Sequence, residues 1–246
     1  MGGVAWRVGG ALLLGTAPLV GQRPAPIETD RPDFTESSAT VPRGRWQLEA
    51  GYTVQRAGST SHSLPESLLR AGLSSRVEFR LAQNLMAADG ALAFDDLALG
   101  LKVGLTDQRG VRPQLALLVQ STVPTGGTNL TASKALPTAA LLAGWQLGGR
   151  WSAGGSAIAG READDHLELA ASAVVGYAIS DRWRSYLEAF TIQPVSGNGG
   201  ERGESYLNGG VARLVTPLVQ LDARAGLGIG GGAARVFGGV GLSVGW

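Results

Sequence analysis

The 246-residue chain has no cysteine and only two histidines, His62 and His166. That removes disulfide frameworks, thiol nucleophiles and cysteine-based metal sites, and it leaves little for imidazole chemistry. Charge is scarce as well, at 17% of the residues against roughly 25% for an average soluble domain. The 21 basic and 20 acidic side chains nearly cancel, so no basic face calls for nucleic acid. Long hydrophobic runs are missing too. Mean hydropathy is +0.08, yet no apolar stretch approaches the roughly 20 residues of a membrane helix. Disorder, a helical membrane protein and a highly charged soluble enzyme are all disfavoured. What is present is glycine, 38 residues of it, within a chain that is 44% hydrophobic. A glycine-rich β-protein fits both numbers.

Residues 1–22 read as an export signal. Arg7 stands in a short n-region and ALLLGTAPLV follows at 11–20, a length that suits a signal h-region and is too short to span a bilayer. Removing it takes away one base and no acid, so the remainder is electrically neutral. Residues 23–44 form a polar extension carrying TDRPDFTE at 29–36. Its prolines argue against regular structure, and it is expected near the periplasmic mouth of a barrel as a possible plug.

From 45 onward the chain alternates with period two. Trp46, Leu48, Ala50, Tyr52 and Val54 share one face of the first such segment; Arg45, Gln47, Glu49, Gly51 and Thr53 share the other. Segments 96–105, 166–179 and 219–228 repeat the pattern strictly, and weaker versions bring the expectation to about twelve strands. The apolar face could line a soluble barrel or meet lipid. Three observations favour lipid. Short turns alternate with longer polar connections, as in bacterial outer-membrane barrels. With both termini on the short-turn side, Trp46, Trp145, Trp151, Trp183 and Trp246 all fall on one rim, where they would act as membrane-interface anchors; Phe94, Phe190, Tyr206 and Phe237 fall towards the other. Finally, Val240, Leu242, Val244 and Trp246 alternate up to a terminal aromatic residue, which resembles the signal read by the barrel-assembly machinery. The fold class is therefore all-β, a transmembrane antiparallel up-and-down barrel over 45–246.

The segment TDRPDFTE at 29–36 followed by VPRGRWQLEAGY at 41–52, LLRAGL at 68–73, RVEFR at 76–80, PTG at 124–126, and QLD at 220–222 through GLS at 241–243 resemble the outer-membrane "transporter" family of the MetA pathway of phenol degradation. The resemblance runs along nearly the whole chain after the signal. Asn208 departs from it, standing where an acid or a small polar residue is expected. Membership implies one outer-membrane barrel, passage of small hydrophobic or aromatic molecules, and no catalytic residue to carry over.

With the apolar face in lipid, the alternate residues line the interior: Arg45, Glu49, Arg70, Arg76, Glu78, Arg80, Lys102, Gln120, Glu168, Arg184, Glu188, Asp222 and Arg224. Acids and bases are mixed, so they can pair across strands. Such a set either guides solute through a pore or fills the interior as a network, and a twelve-stranded barrel lies between a filled lumen and an open one. The reading is a passive channel with outer-membrane lipid and a small solute as partners, without cofactor, metal or chemical step. Its rivals are a non-conducting structural or adhesive barrel, and an enzyme at the rim around Asp164, Asp165 and His166. Neither a placed serine nor a phosphate-binding loop followed by a helix is recognisable.

Overall fold

The computed structural model describes residues 25–88, 91–128, 130–195 and 203–246; the expected signal at 1–22 lies outside them. Thirteen strands follow in chain order. They begin with β1 (Trp46–Ala57), β2 (Ser59–Gly72), β3 (Val77–Ala88), β4 (Ala91–Phe94) and β5 (Leu97–Thr106). Next come β6 (Gln114–Val123), β7 (Pro137–Gly148), β8 (Trp151–Arg161) and β9 (Leu167–Ala178). The last are β10 (Trp183–Pro194), β11 (Glu204–Thr216), β12 (Val219–Gly231) and β13 (Val236–Gly245). Each pairs antiparallel with its neighbours, and β1 closes on β13. The short β4 pairs only with the outer end of β3, in line with β5. The closed wall therefore has twelve members, as the alternation indicates.

The faces follow the sequence pattern. Leu48, Leu101, Leu169, Leu221 and Leu242 stand exposed on the outside, while Gln47, Glu49, Arg70, Lys102 and Ser243 are buried within. A wall of this polarity is stable only with lipid outside, since charge on the lipid face costs about 2–4 kcal/mol at midplane for Arg or Lys. Where β2 would continue through Pro65, the pairing with both neighbours shifts register, because proline has no N–H for the ladder. Along the chain the shift moves the inward parity of β2 from odd residues such as Ser63 to even ones such as Arg70.

The connections differ from the sequence expectation on the long side. Residues 56–62 are not a loop: β1 and β2 meet at Gly58 alone, whose φ of +98° only glycine adopts cheaply. Most of 82–95 is likewise strand. The ladder continues beyond the apolar band, where polar residues on both faces hide the strand signal.

Residues 25–44 do not stay at the mouth. Ile27 bonds to Pro217 and Gly44 to Gly72, both at the short-turn rim. Between them the chain turns into the lumen as an irregular loop, burying Asp30, Thr35 and Ser38. It is called the insert below.

Candidate functional site: the lumen and its insert

An irregular backbone at membrane depth must find partners for its N–H and C=O groups inside the protein. The inward charges of the wall supply them. Glu49 accepts from the backbone N–H of Asp30 (3.1 Å) and Arg31 (2.9 Å). Glu78 accepts from Val41 N–H (2.7 Å), and Glu188 from Phe34 and Thr35 N–H (2.9 and 2.6 Å) and the Thr35 hydroxyl. Cations take the carbonyls: Arg70 donates to Glu28 and Ala39, Lys102 to Ser37, and Arg224 to Pro32. The wall is thus a template of donors and acceptors for this one stretch of chain.

The insert answers with charge of its own. Asp30 sits among Arg70 (3.5 Å), Arg80 and Lys102 (3.1 Å), and Glu36 pairs with Arg80 (3.0 Å). Arg70 also bridges Glu49 and Glu78 at 2.8 and 2.9 Å, with none of the three side chains accessible. Buried charges are tolerated only when paired and hydrogen-bonded, and here every strand partner is matched by a group on the insert. Arg31 reaches Glu66 (2.8 Å), Asp222 (3.4 Å) and the Val240 carbonyl (3.1 Å). Its guanidinium occupies the space of two missing side chains: Gly51 and Gly241 pair across β1 and β13, and a Cβ on either would lie within 2.3 Å of Arg31.

The expected lining residues are therefore divided by the structure. Glu49, Arg70, Glu78, Arg80 and Lys102 come together around Asp30, while Glu188, Asp222 and Arg224 hold other parts of the insert. Gln120 faces a cavity beside Gly100, and Glu168 faces inward at the outer end of β9. Arg45 stands at the mouth just before β1, and Arg184 lies near it within 3.4 Å of Glu28. Arg76 is a correction. It occupies the β2–β3 turn, half exposed and paired with Asp107 at 2.9 Å, because β3 begins one residue later than the alternation suggests. The Asp164–His166 contact lies on the turn between β8 and β9, next to a Lys134–Asp165 ion pair.

Several lumen groups escaped the sequence reading. Asp30, Arg31, Phe34 and Glu36 belong to a segment without periodicity, whereas Glu66 shares the inward parity of Arg70 on β2, a signal that could have found it. Asn208, the position that departs from the family pattern, donates to Glu188 at 2.9 Å. Phe190, Tyr206 and Phe237 do lie towards the long-loop side, but they point inward, where Phe34 joins them; strand parity was the signal. The inner wall is also apolar in part: Ala116, Leu118, Ala140 and Leu142 form a buried cluster on β6 and β7.

Two cavities flank the insert. One of about 430 Å³ opens along β6–β11, against Gln114, Gly144, Ser152, Gly154, Gly176 and Tyr186. The other, about 190 Å³, lies towards β2, β3, β5 and β6 against Glu66, Asn84, Ala98 and Gln120. At the short-turn rim Trp46, Trp151, Trp183 and Trp246 are 41–53% exposed, and Trp145 donates its indole N–H to Val111 at 3.0 Å.

These features define an outer-membrane β-barrel whose lumen holds its own N-terminal segment. The chain belongs to the family described as "Putative MetA-pathway of phenol degradation", which it matches over residues 29–246. Solved structures share the fold. An outer membrane channel from Pseudomonas putida F1 superposes with a TM-score of 0.65 at 13% identity, covering 85% of this chain and 98% of that one. The NanC porin gives 0.60 at 7% identity, covering 81% and 98%. The KdgM porin gives 0.56 at 8%, covering 80% and 98%. No curated protein matches the sequence.

Proposed function

We propose that this barrel is a passive outer-membrane channel for small hydrophobic or aromatic molecules. The observation that carries the reading is the pair of cavities, which lie on either side of a single layer of inserted chain. The larger one is lined by Gly144, Gly154 and Gly176, where bigger side chains would have closed the space. The small and apolar residues that line the larger cavity, Ala143, Gly144, Gly154, Val174 and Gly176, with Tyr177 beside them, favour a solute of low polarity. The five rim tryptophans serve as periplasmic interface anchors, and the strand ending at Trp246 serves as the assembly signal.

The test is flux from lipid vesicles holding refolded protein. Benzenesulfonate cannot cross a bare bilayer and carries one aromatic ring; it should leave faster than glucose. Equal retention of both, with the barrel folded, would contradict the reading. The dense hydrogen bonding of the insert favours the second reading, a sealed structural barrel whose long-side loops bind partners, and that reading predicts retention.

A further inference from the structure

Among the described residues lining the two cavities, only Arg31 and Glu36 line both. The rest of the insert faces one cavity or neither. Arg31 lies against the glycine seat on β1 and β13, and Glu36 is held by Arg80 on β3. Both are more accessible than Asp30 beside them, with 12% and 27% of their side chains open against 5%. Each also keeps a buried polar atom without a hydrogen bond, Nε of Arg31 and Oε2 of Glu36. By contrast, the backbone on either side is fixed by Glu49, Glu78 and Glu188.

Resting on the channel reading above, we propose that solute crosses with the insert in place, through the partition formed by the Arg31 and Glu36 side chains, which set the selectivity of the passage. Swinging two long side chains breaks a few contacts on flexible stems. Withdrawing the insert would take Asp30 and Glu36 away from Arg80 and Lys102 and strip the backbone donors from Glu49, Glu78 and Glu188, and breaking a buried charged set is far more costly than a rotamer change. Arg31 also carries the sign of the partition. Without it, Glu66 and Asp222 lose their common cation and the passage turns cation-preferring. Without Glu36, Arg80 and Lys102 lose an anion and the passage turns towards anions.

The absence of cysteine makes a direct test clean. The Thr35 and Ser172 hydroxyls lie 2.7 Å apart, so Thr35→Cys with Ser172→Cys places two thiols where a disulfide can tie the insert to β9. Planar-bilayer conductance is recorded for the oxidised and reduced forms of this full-length mature protein. Equal conductance in both states is expected, and loss on oxidation reversed by dithiothreitol would overturn the proposal. In the untethered protein, Arg31→Ala/Glu36→Ala should raise conductance several-fold, and Arg31→Lys and Glu36→Gln serve as milder variants. Arg31→Ala alone should move the reversal potential towards cation preference and Glu36→Gln towards anion preference. Unchanged conductance and reversal potential in all of these folded variants would overturn the assignment of the two residues. Silence of every form, including one lacking 25–44, would overturn the channel reading itself.

Discussion

Phe34 lies face to face with Phe190, their ring centroids 4.3 Å apart and their planes within 5°. The stack continues from Phe190 to Tyr206 at 4.7 Å, and Phe237 meets both edge-on with Arg224 over its ring. Phe34 is the deep apolar anchor of the insert, next to the Glu188 carboxylate that receives its N–H.

Phe34→Ala removes that stack, which is worth about 0.5–1.5 kcal/mol beyond the area it buries. The barrel wall should keep its stability, because no ladder bond involves Phe34. Limited proteolysis should cut residues 25–44 faster than in the parent protein, and Phe34→Tyr should retain most of the protection. Equal cleavage of parent and Ala variant would show that polar contacts alone hold the insert.

Asp30 tests those polar contacts. Asp30→Asn leaves Arg70, Arg80 and Lys102 around a neutral amide, and breaking a buried charged set in this way costs about 3–5 kcal/mol. The insert should dissociate while heat-modifiable gel mobility still reports a folded barrel. Protection of residues 25–44 at parental levels would mean that Glu36 and the backbone bonds suffice.

Leu101 and Lys102 are neighbours on β5 that face opposite media, the first 46% exposed and the second fully buried. Leu101→Arg should cost about 2–4 kcal/mol in urea-titrated folding into lipid vesicles. Gln120→Arg puts the same group beside the smaller cavity and should cost much less. The reverse order would contradict the lipid-facing assignment.

Much of this was legible in the sequence, and the remainder was hidden for identifiable reasons. Alternation along segments such as 45–55 and 219–228 reveals strands, faces and the closing seam, because one face must meet lipid and the other must not. Arg70, Glu78 and Lys102 were legible as inward charges for the same reason. Their partner was not: Asp30 sits in a segment that has no period, since each of its bonds is made to a different strand. Gly51 and Gly241 read as ordinary inward positions, and only the three-dimensional register shows that their missing side chains seat Arg31. Arg76 failed because alternation does not mark where a turn ends.

Asp96, between β4 and β5, ties down the long connection after β6. Its carboxylate accepts from the N–H groups of Thr125 (3.0 Å), Gly126 (2.8 Å) and Ala132 (2.9 Å). Desolvation pushes its pKa up, but the Gly126, Ala132, Thr131 and Thr125 donors outweigh it and hold the group below the usual carboxylate range. A depressed folded pKa stabilises the loop above the unfolded value, and that contribution is lost as pH falls through the folded one. Hydrogen exchange at residues 125–132 should therefore rise, after correction for intrinsic rates, as the medium is acidified, and Asp96→Asn should show the faster exchange already at neutral pH. Protection without pH dependence would contradict the role of this carboxylate.

The most direct test is single-channel conductance of refolded residues 23–246, compared with the same chain lacking residues 25–44. Small steps are expected from the chain that keeps its insert, and larger, less selective ones from the truncated form. Silence from both, with heat-modifiable mobility showing folded barrels, would contradict the channel reading.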